Sequence, residues 1–378
     1  MNKHILYRCA LILCAAGVLL GIYSYAWHEN KFIKYRIKPE LLSRRYNEVA
    51  YAATHNGQSY LKSPVQNQNL TLTEQFERGI RATKLHVWYD RDADGKSSPY
   101  VCHGVPKNML DDAYLEKVIE KVPRIFRSWA RSILQQYDPL NELVRDACKT
   151  AYGHGDKEGV IQFRHGILDP ASKPLSEVLT EIKVFLDQYP DEIFTVILED
   201  HTENLERIAQ DFKVSGLKDY AHIQDKHKEW PTLGQMVKDD KRLVVLLHGE
   251  PTLPYKKHPW MHPIWDFAYD TEWEFGDVGA LKDPRNDRMP KRGTQAYDDR
   301  HNGPKNKLFI VHHFITPRTG GCSSSAKKVN KKVCIQDRLN RLKTKAGRIP
   351  NIIQVDFFEY PKHDIFEVVD TLNMSATA

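Results

Sequence analysis

The chain has 378 residues, 41% of them hydrophobic and 28% charged, with a formal net charge of +6. This composition excludes a disordered or fibrous chain and supports a sizeable core, in two domains or one large α/β barrel. The mild positive balance suits an anionic substrate or a membrane surface, and without a basic array interleaved with aromatics, no nucleic acid partner is expected.

The N-terminus differs from the rest. MNKHILYR carries Lys3 and Arg8, and the uncharged run CALILCAAGVLLGIYSYAW follows. This predicts a signal peptide or a membrane anchor over residues 1–27, with Ser24 and Ala26 at the small-residue spacing of a cleavage site. Either one implies a secreted or membrane-anchored protein facing an extracytoplasmic compartment. No later segment is apolar enough to span a bilayer. Cys9 and Cys14 lie in this run, leaving Cys102, Cys148, Cys322 and Cys334. Cys322 and Cys334 flank a Lys-rich loop and make the most natural disulfide, with free thiols the alternative. Asn69-Leu70-Thr71 and Asn373-Met374-Ser375 are glycosylation sequons.

Strands and helices then alternate. Residues 47–54 read as a first strand, and Thr71-x-x-Glu74 is a capping box opening a short helix that stops at Gly79. Residues 81–89 form a second strand, which turns at Asp94-Gly95 and returns through Tyr100-Val101-Cys102-His103. Asp90-x-Asp92-x-Asp94-Gly95 resembles the start of a calcium loop. Val101, however, occupies the position that requires a bidentate Glu, so a hairpin turn is the reading.

Residues 105–165 read as an insertion with a basic amphipathic helix, packed on the body or facing a membrane. Pro174 starts a helix whose Leu175, Val178, Leu179, Ile182, Phe185 and Leu186 recur at helical spacing. Residues 193–198 are continuously apolar, as in a parallel strand covered on both faces. A helix opening at Trp230-Pro231-Thr232-Leu233 and strands at 243–247, 309–311 and 352–355 complete a βα series. A parallel α/β sheet or barrel is expected.

In such folds the chemistry sits at the C-terminal tips of the strands. The tips here carry His55-Asn56, His103-Gly104, Glu199-Asp200-His201, His248, His312-His313 and Asp356. On the second strand, Leu85 and Val87 share one face, and Lys84 and His86 share the other. If the apolar pair meets the surrounding helices, Lys84 and His86 point into the barrel, where a lysine needs an anion. Two imidazoles and a cation suit phosphodiester cleavage: one ring takes a proton from the attacking hydroxyl, another protonates the leaving oxygen, and Lys84 steadies the phosphoryl oxygens.

These residues resemble the X domain of the phosphatidylinositol-specific phospholipase C family, in its compact bacterial and fungal form. The resemblance runs in order through THNGQS, LTEQFERGIRATKLHVWYD, YVCHG, PLSEVLTEIKVFLDQYPDEIFTVILEDH, WPTLGQMVKDDKRLVVLL, FIVHHFIT and RIPNIIQVDFFEYPKHDIFEVVDTLN. It covers residues 45–373 apart from the insertion. It implies a TIM-like α/β barrel, distorted or incompletely closed, acting on a phospholipid at a membrane surface. It implies attack by an inositol 2-hydroxyl on its own phosphate, with release of diacylglycerol. His55 would be the base, His103 the acid, and Asp356 the group that orients His55. Asn56, Lys84, His86 and Glu199 would bind substrate or phosphate.

Calcium-dependent members carry acidic residues where Lys84 and His86 stand, and simple bacterial members carry arginine at the His86 position. Asn56 and Glu199 alone match calcium-ligand positions, too few oxygens for calcium. Metal-independent catalysis without a cofactor is therefore the expectation, with Lys84 in place of the ion. His165-Gly166 rivals His103 as the acid. The alternatives are a phosphodiesterase for another glycerophosphodiester or phospholipid, although the usual His-Arg-Gly signature is missing, and a barrel that binds phosphoinositides without cleaving them.

Overall fold

The structure, a computed structural model, describes residues 36–61, 66–91, 97–103, 105–106, 160–161, 171–249, 255–288, 292–293, 306–316 and 321–375. Its strands are β1 (Tyr51–Thr54), β2 (Ala82–Arg91), β3 (Ser97–Val101), β4 (Val105–Pro106), β5 (Val160–Ile161), β6 (Lys173–Pro174), β7 (Phe194–Asp200), β8 (Leu243–His248), β9 (Met261–Pro263), β10 (Ala268–Asp270), β11 (Leu308–His312) and β12 (Ile352–Val355). Eight of them form one curled, parallel sheet in the order β10-β11-β12-β1-β2-β7-β8-β9. The expected TIM-like α/β barrel is therefore present and incompletely closed. β9 and β10 are its two open edges, and they are consecutive in sequence, joined by the single-turn helix Ile264–Phe267.

β3 folds back antiparallel on β2, as the hairpin pattern predicts. The paired β4 and β5 join the two ends of the insertion. The basic helix of the insertion, His165, the Asp92–Gly95 turn and residues 1–27 lie outside the described residues. Among the described residues no helix is long and apolar enough to cross a membrane.

Side-chain alternation sorts the strands into an outer and an inner face. Leu85, Val87, Val196, Leu198, Val245 and Leu247 point outward and are buried under helices α1 (Leu72–Glu77), α2 (Leu175–Gln188) and α3 (Leu205–Val214). Every apolar position predicted on α2 is buried there. Ala53, Ala82, Ile197, Val244, Leu246, Ala268, Ile310 and Ile352 point inward and fill the barrel floor. Truncating a fully buried leucine on either face would cost about 2–5 kcal/mol.

The inner face explains where the polar tips go. Two residues beyond the floor on the same parity stand His55 after Ala53, Lys84 after Ala82, Glu199 after Ile197, His248 after Leu246, Asp270 after Ala268 and His312 after Ile310. His86 and His201 continue the parity by two more residues, and Asp356 follows Ile352 by four. One period-two rule thus builds an apolar floor and a polar mouth from seven of the eight strands.

The first strand is shorter than expected, because residues 46–48 make a 3₁₀ turn before it. Both three-residue strands, β9 and β10, went unrecognised in the sequence. Cys322 and Cys334 are free thiols, so the disulfide reading is corrected. The Asn373 sequon is also corrected: its amide is buried, donating to the Ala50 carbonyl at 3.0 Å and accepting from the Ala50 N–H at 2.8 Å.

Candidate active site

His55 is fixed from three sides. Its Nδ1 lies 2.9 Å from Asp356 Oδ1. Its ring stacks on Phe314, centroids 3.8 Å apart and 3° from coplanar. Gln68 Nε2 donates to the carbonyls of His55 and Val355, tying the tips of β1 and β12 together. With Nδ1 engaged, Nε2 is the ring edge left for chemistry.

The turn that follows is built on close approach. Asn56 has φ +47°, a left-handed conformation that asparagine tolerates better than most residues. A Cβ at Gly57 would sit 2.2 Å from Thr83 Oγ1 and 2.9 Å from Thr54 Oγ1, so only glycine fits. The Gly57 N–H donates to the Lys84 carbonyl, which locks this turn against β2.

A relay of amides crosses behind the site. Asn67 Nδ2 donates to Asp356 Oδ2 at 3.1 Å, and Asn56 Nδ2 donates to Asn67 Oδ1 at 3.2 Å. Asn56 Oδ1 in turn lies 2.9 Å from His86 Nε2. Asn56 is buried with both amide atoms occupied, so it stands behind His86 as a positioning residue.

Glu199 divides its two oxygens. Oε2 receives the Lys84 ammonium at 2.5 Å, and His248 Nδ1 lies 4.0 Å from the same oxygen. Oε1 faces His201 Nε2 at 3.4 Å and His86 Nδ1 at 3.8 Å. His201 stacks on Trp88 at 3.8 Å. The ring centroid of His103 lies 5.4 Å from that of His86, held beside it by the Cys102 N–H donating to the His86 carbonyl. The anion that the inward Lys84 requires is therefore Glu199 itself. His86, Glu199 and His201 together offer ligand atoms close enough for one ion.

Charge and burial set the protonation states. Burial, followed by Lys84 and the neighbouring imidazoles of His86, His312 and His103, holds His55 well below the ordinary histidine range. Its imidazole is neutral near neutral pH and able to accept a proton. Burial pushes the Asp356 carboxyl well above its ordinary range, opposed by the Asn67 hydrogen bond. Burial also lowers His86 well below 6.5, with Glu199 opposing and Lys84, His103 and His201 adding to the effect. For Glu199, burial pulls upward but is outweighed by His86, Lys84 and His201, and the carboxyl is held well below its ordinary range.

All seven residues singled out in the sequence (His55, Asn56, Lys84, His86, His103, Glu199 and Asp356) occupy the C-terminal end of the sheet. Missed were Asn67, Gln68 and Phe314, which lie on loops where no periodicity marks them. His312 was read as a strand tip, but its partners Asp270 and Arg292, which make a second cluster with it, were missed. His312 Nε2 lies 3.0 Å from Asp270 Oδ2, and Arg292 Nε donates to the same oxygen at 2.9 Å. The Arg292 guanidinium is sandwiched between Trp265 and Trp273, at 4.4 and 3.9 Å.

The fold and these strand-tip groups define a TIM-like α/β barrel with a buried acid–base cluster at its mouth. The PI-PLC X domain profile matches residues 41–134 and 135–373, and the chain belongs to that family. A PI-PLC X domain-containing protein of Arabidopsis thaliana is 27% identical over 214 residues, 54% of this chain and 45% of that protein. The chain thus spans about half the length of that relative. PI-PLC X domain-containing protein 1 of Arthroderma benhamiae is 23% identical over 350 residues, 89% of this chain and 88% of that protein. Among solved structures, the phosphatidylinositol-specific phospholipase C of Listeria monocytogenes aligns over 87% of this chain and 94% of its own, at 16% identity and a TM-score of 0.45. A variant of the Staphylococcus aureus enzyme aligns over 87% and 93%, at 14% identity and a TM-score of 0.47. Superposition at this level is loose, and the fold assignment rests on the strand order itself.

Proposed function

We propose that the chain is a phospholipase C-like phosphodiesterase that cleaves phosphatidylinositol-type lipids at a membrane surface. The observation that carries this reading is the neutral His55, aligned by Asp356 through Nδ1, in one mouth with Lys84 and His103. His55 Nε2 takes the proton of the inositol 2-hydroxyl, and that oxygen attacks the phosphorus. The bond from phosphorus to the glycerol oxygen breaks, and His103 gives that oxygen a proton. Diacylglycerol and a cyclic inositol phosphate result. Lys84 steadies the phosphoryl oxygens, shared with Glu199 in the resting site.

Several features support the setting of this reaction. Family membership supports the reaction class, and the basic, apolar N-terminal run supports an extracytoplasmic location at a membrane. Incubation of the purified chain with phosphatidylinositol vesicles tests the proposal through diacylglycerol release. Release by the parent, with loss in both His55→Ala and His103→Ala, is expected; unchanged turnover in either variant contradicts the assigned roles.

One observation favours a second reading. The Lys84–Glu199 ion pair neutralises the cation that catalysis requires, which suits a barrel that binds phosphoinositides without turnover. Saturable vesicle binding with no product from the parent chain would establish that reading instead.

A further inference from the structure

We infer that His86, Glu199 and His201 form a site for one divalent transition-metal ion of the zinc class, beside the catalytic mouth. The three ligand atoms are His86 Nδ1, His201 Nε2 and Glu199 Oε1, and they form a compact triangle. Its edges are 3.3 Å between the imidazoles, 3.4 Å from His201 to Glu199 and 3.8 Å from His86 to Glu199. Zinc bonds of about 2.0–2.2 Å in tetrahedral geometry require ligand-to-ligand edges of about 3.3–3.6 Å. Two of the edges already have that length, and a small side-chain movement brings in the third.

The tautomer that His86 needs for binding is built in, while His201 Nε2, which faces two acceptors, must give up its proton to the other ring nitrogen or to solvent. His86 Nε2 faces Asn56 Oδ1, an acceptor whose orientation is fixed because Asn56 Nδ2 donates to Asn67 and Asn67 Nδ2 donates to Asp356. His86 therefore carries its proton on Nε2 and presents a bare Nδ1 lone pair at the triangle. A ligating histidine that donates its other N–H to a carbonyl oxygen is the usual outer arrangement of such sites. The His201 ring is clamped against Trp88. Glu199 keeps its second oxygen for Lys84, so binding an ion through Oε1 leaves the Lys84 pair in place.

The donor set selects the ion. Two imidazoles and one carboxylate suit zinc and related ions and offer calcium too few oxygens. Three protein ligands leave a position for water or a substrate oxygen. The binding claim stands on geometry alone; only an effect on phosphoryl transfer would rest on the proposed function.

The test uses the untagged full chain, stripped with a chelator and titrated with Co²⁺ and then Zn²⁺. The expected result is one Co²⁺ per chain with the visible absorption of a tetrahedral site, displaced by Zn²⁺ and not by Ca²⁺. His201→Gln is expected to abolish that absorption and weaken Zn²⁺ binding by about 100-fold. Asn56→Ala is expected to weaken it by about 10- to 100-fold through the His86 orientation. Metal-free melting curves of each variant show whether it is folded, and Zn²⁺ should raise the parent's melting temperature and not that of His201→Gln. No uptake by the folded parent, displacement by Ca²⁺, or parental affinity in folded His201→Gln would overturn the site. A parent that binds Co²⁺ but cleaves no lipid refutes the proposed function and leaves this site intact. One that cleaves lipid but binds no ion does the reverse.

Discussion

Two histidine–aspartate pairs stand at the mouth of this barrel, at almost the same separation. His55 meets Asp356 at 2.9 Å and His312 meets Asp270 at 3.0 Å. Their surroundings make them opposites. Asp270 is also bound by Arg292, and although burial pulls it upward, His312 and Arg292 hold its carboxyl below the ordinary range. Besides His55, the Asp356 carboxyl accepts from the Asn67 amide, and burial pushes it upward. His312 is buried, with an Nδ1 that has no partner among the described residues. His55 lies at the edge of the mouth, where burial, and after it Lys84, keeps it neutral. A cation beside the carboxylate turns the pair into a structural ion cluster. An uncharged amide leaves a pair whose histidine is available for proton transfer.

The sharpest way to break this comparison is to delete each imidazole. His55→Ala is expected to lower kcat/KM on phosphatidylinositol by about 10²–10⁴-fold with melting temperature preserved. His312→Gln is expected to keep most of the turnover and lose stability instead. Equal catalytic losses from the two would erase the distinction between the pairs.

Next in size is the pair of carboxylates. Asp270→Asn leaves Arg292 without its anion and is expected to cost about 3 kcal/mol in denaturant unfolding. Asp356→Asn, which removes no ion pair with a cation, is expected to act chiefly on kcat. A stable Asp270→Asn protein would show that the Arg292 cluster contributes little.

Acid adds a third test, centred on histidines buried elsewhere in the fold. Burial lowers His262 to about 4 and His313 to about 3, and Arg338 also acts on His313. Their unfolded forms take up protons below pH 6.5 and their folded forms do not, so stability is present above 6.5 and lost as pH falls toward 4. His262 alone accounts for about 3 kcal/mol by pH 4. Thermal melts from pH 7 to 4 should show this decline, and His262→Gln should make it shallower while His313 keeps part of it; a flat parent profile contradicts the buried-neutral state.

The smallest expected effect is a pH shift at Lys84, separate from the rate lost with the phosphoryl cation. Its positive charge helps to lower His55, so Lys84→Met should move the acidic limb of the kcat/KM profile to higher pH. An unmoved limb would show that Lys84 does not act on His55, and a shift to lower pH would contradict the sign of the interaction.

Much of the fold was legible in the sequence because it rests on periods. The continuous apolar run that becomes β7, the heptad-like stripe of α2 and the alternation on β2 each encode a face. The inward direction of Lys84 and His86 followed from the outward burial of Leu85 and Val87. What was hidden lacked a period. β9 and β10 are three residues each, too short to show alternation. Arg292 reaches Asp270 across 22 positions and is held by two tryptophans that no spacing rule connects to it. His201 was visible as a strand tip, but its ligand geometry with His86 depends on Asn56 and Asn67, two amides on loops. Asn56 itself matched a calcium-ligand position in the sequence, and only the folded chain shows that it faces His86.

The most direct measurement of the central claim is phosphorus NMR of the water-soluble products from phosphatidylinositol vesicles, with the parent chain and its His55→Ala variant in parallel. A five-membered cyclic inositol phosphate appearing first with the parent, and absent with the variant, is the predicted result. A parent that leaves the lipid intact, or a variant that forms the cyclic product as fast as the parent, would contradict it.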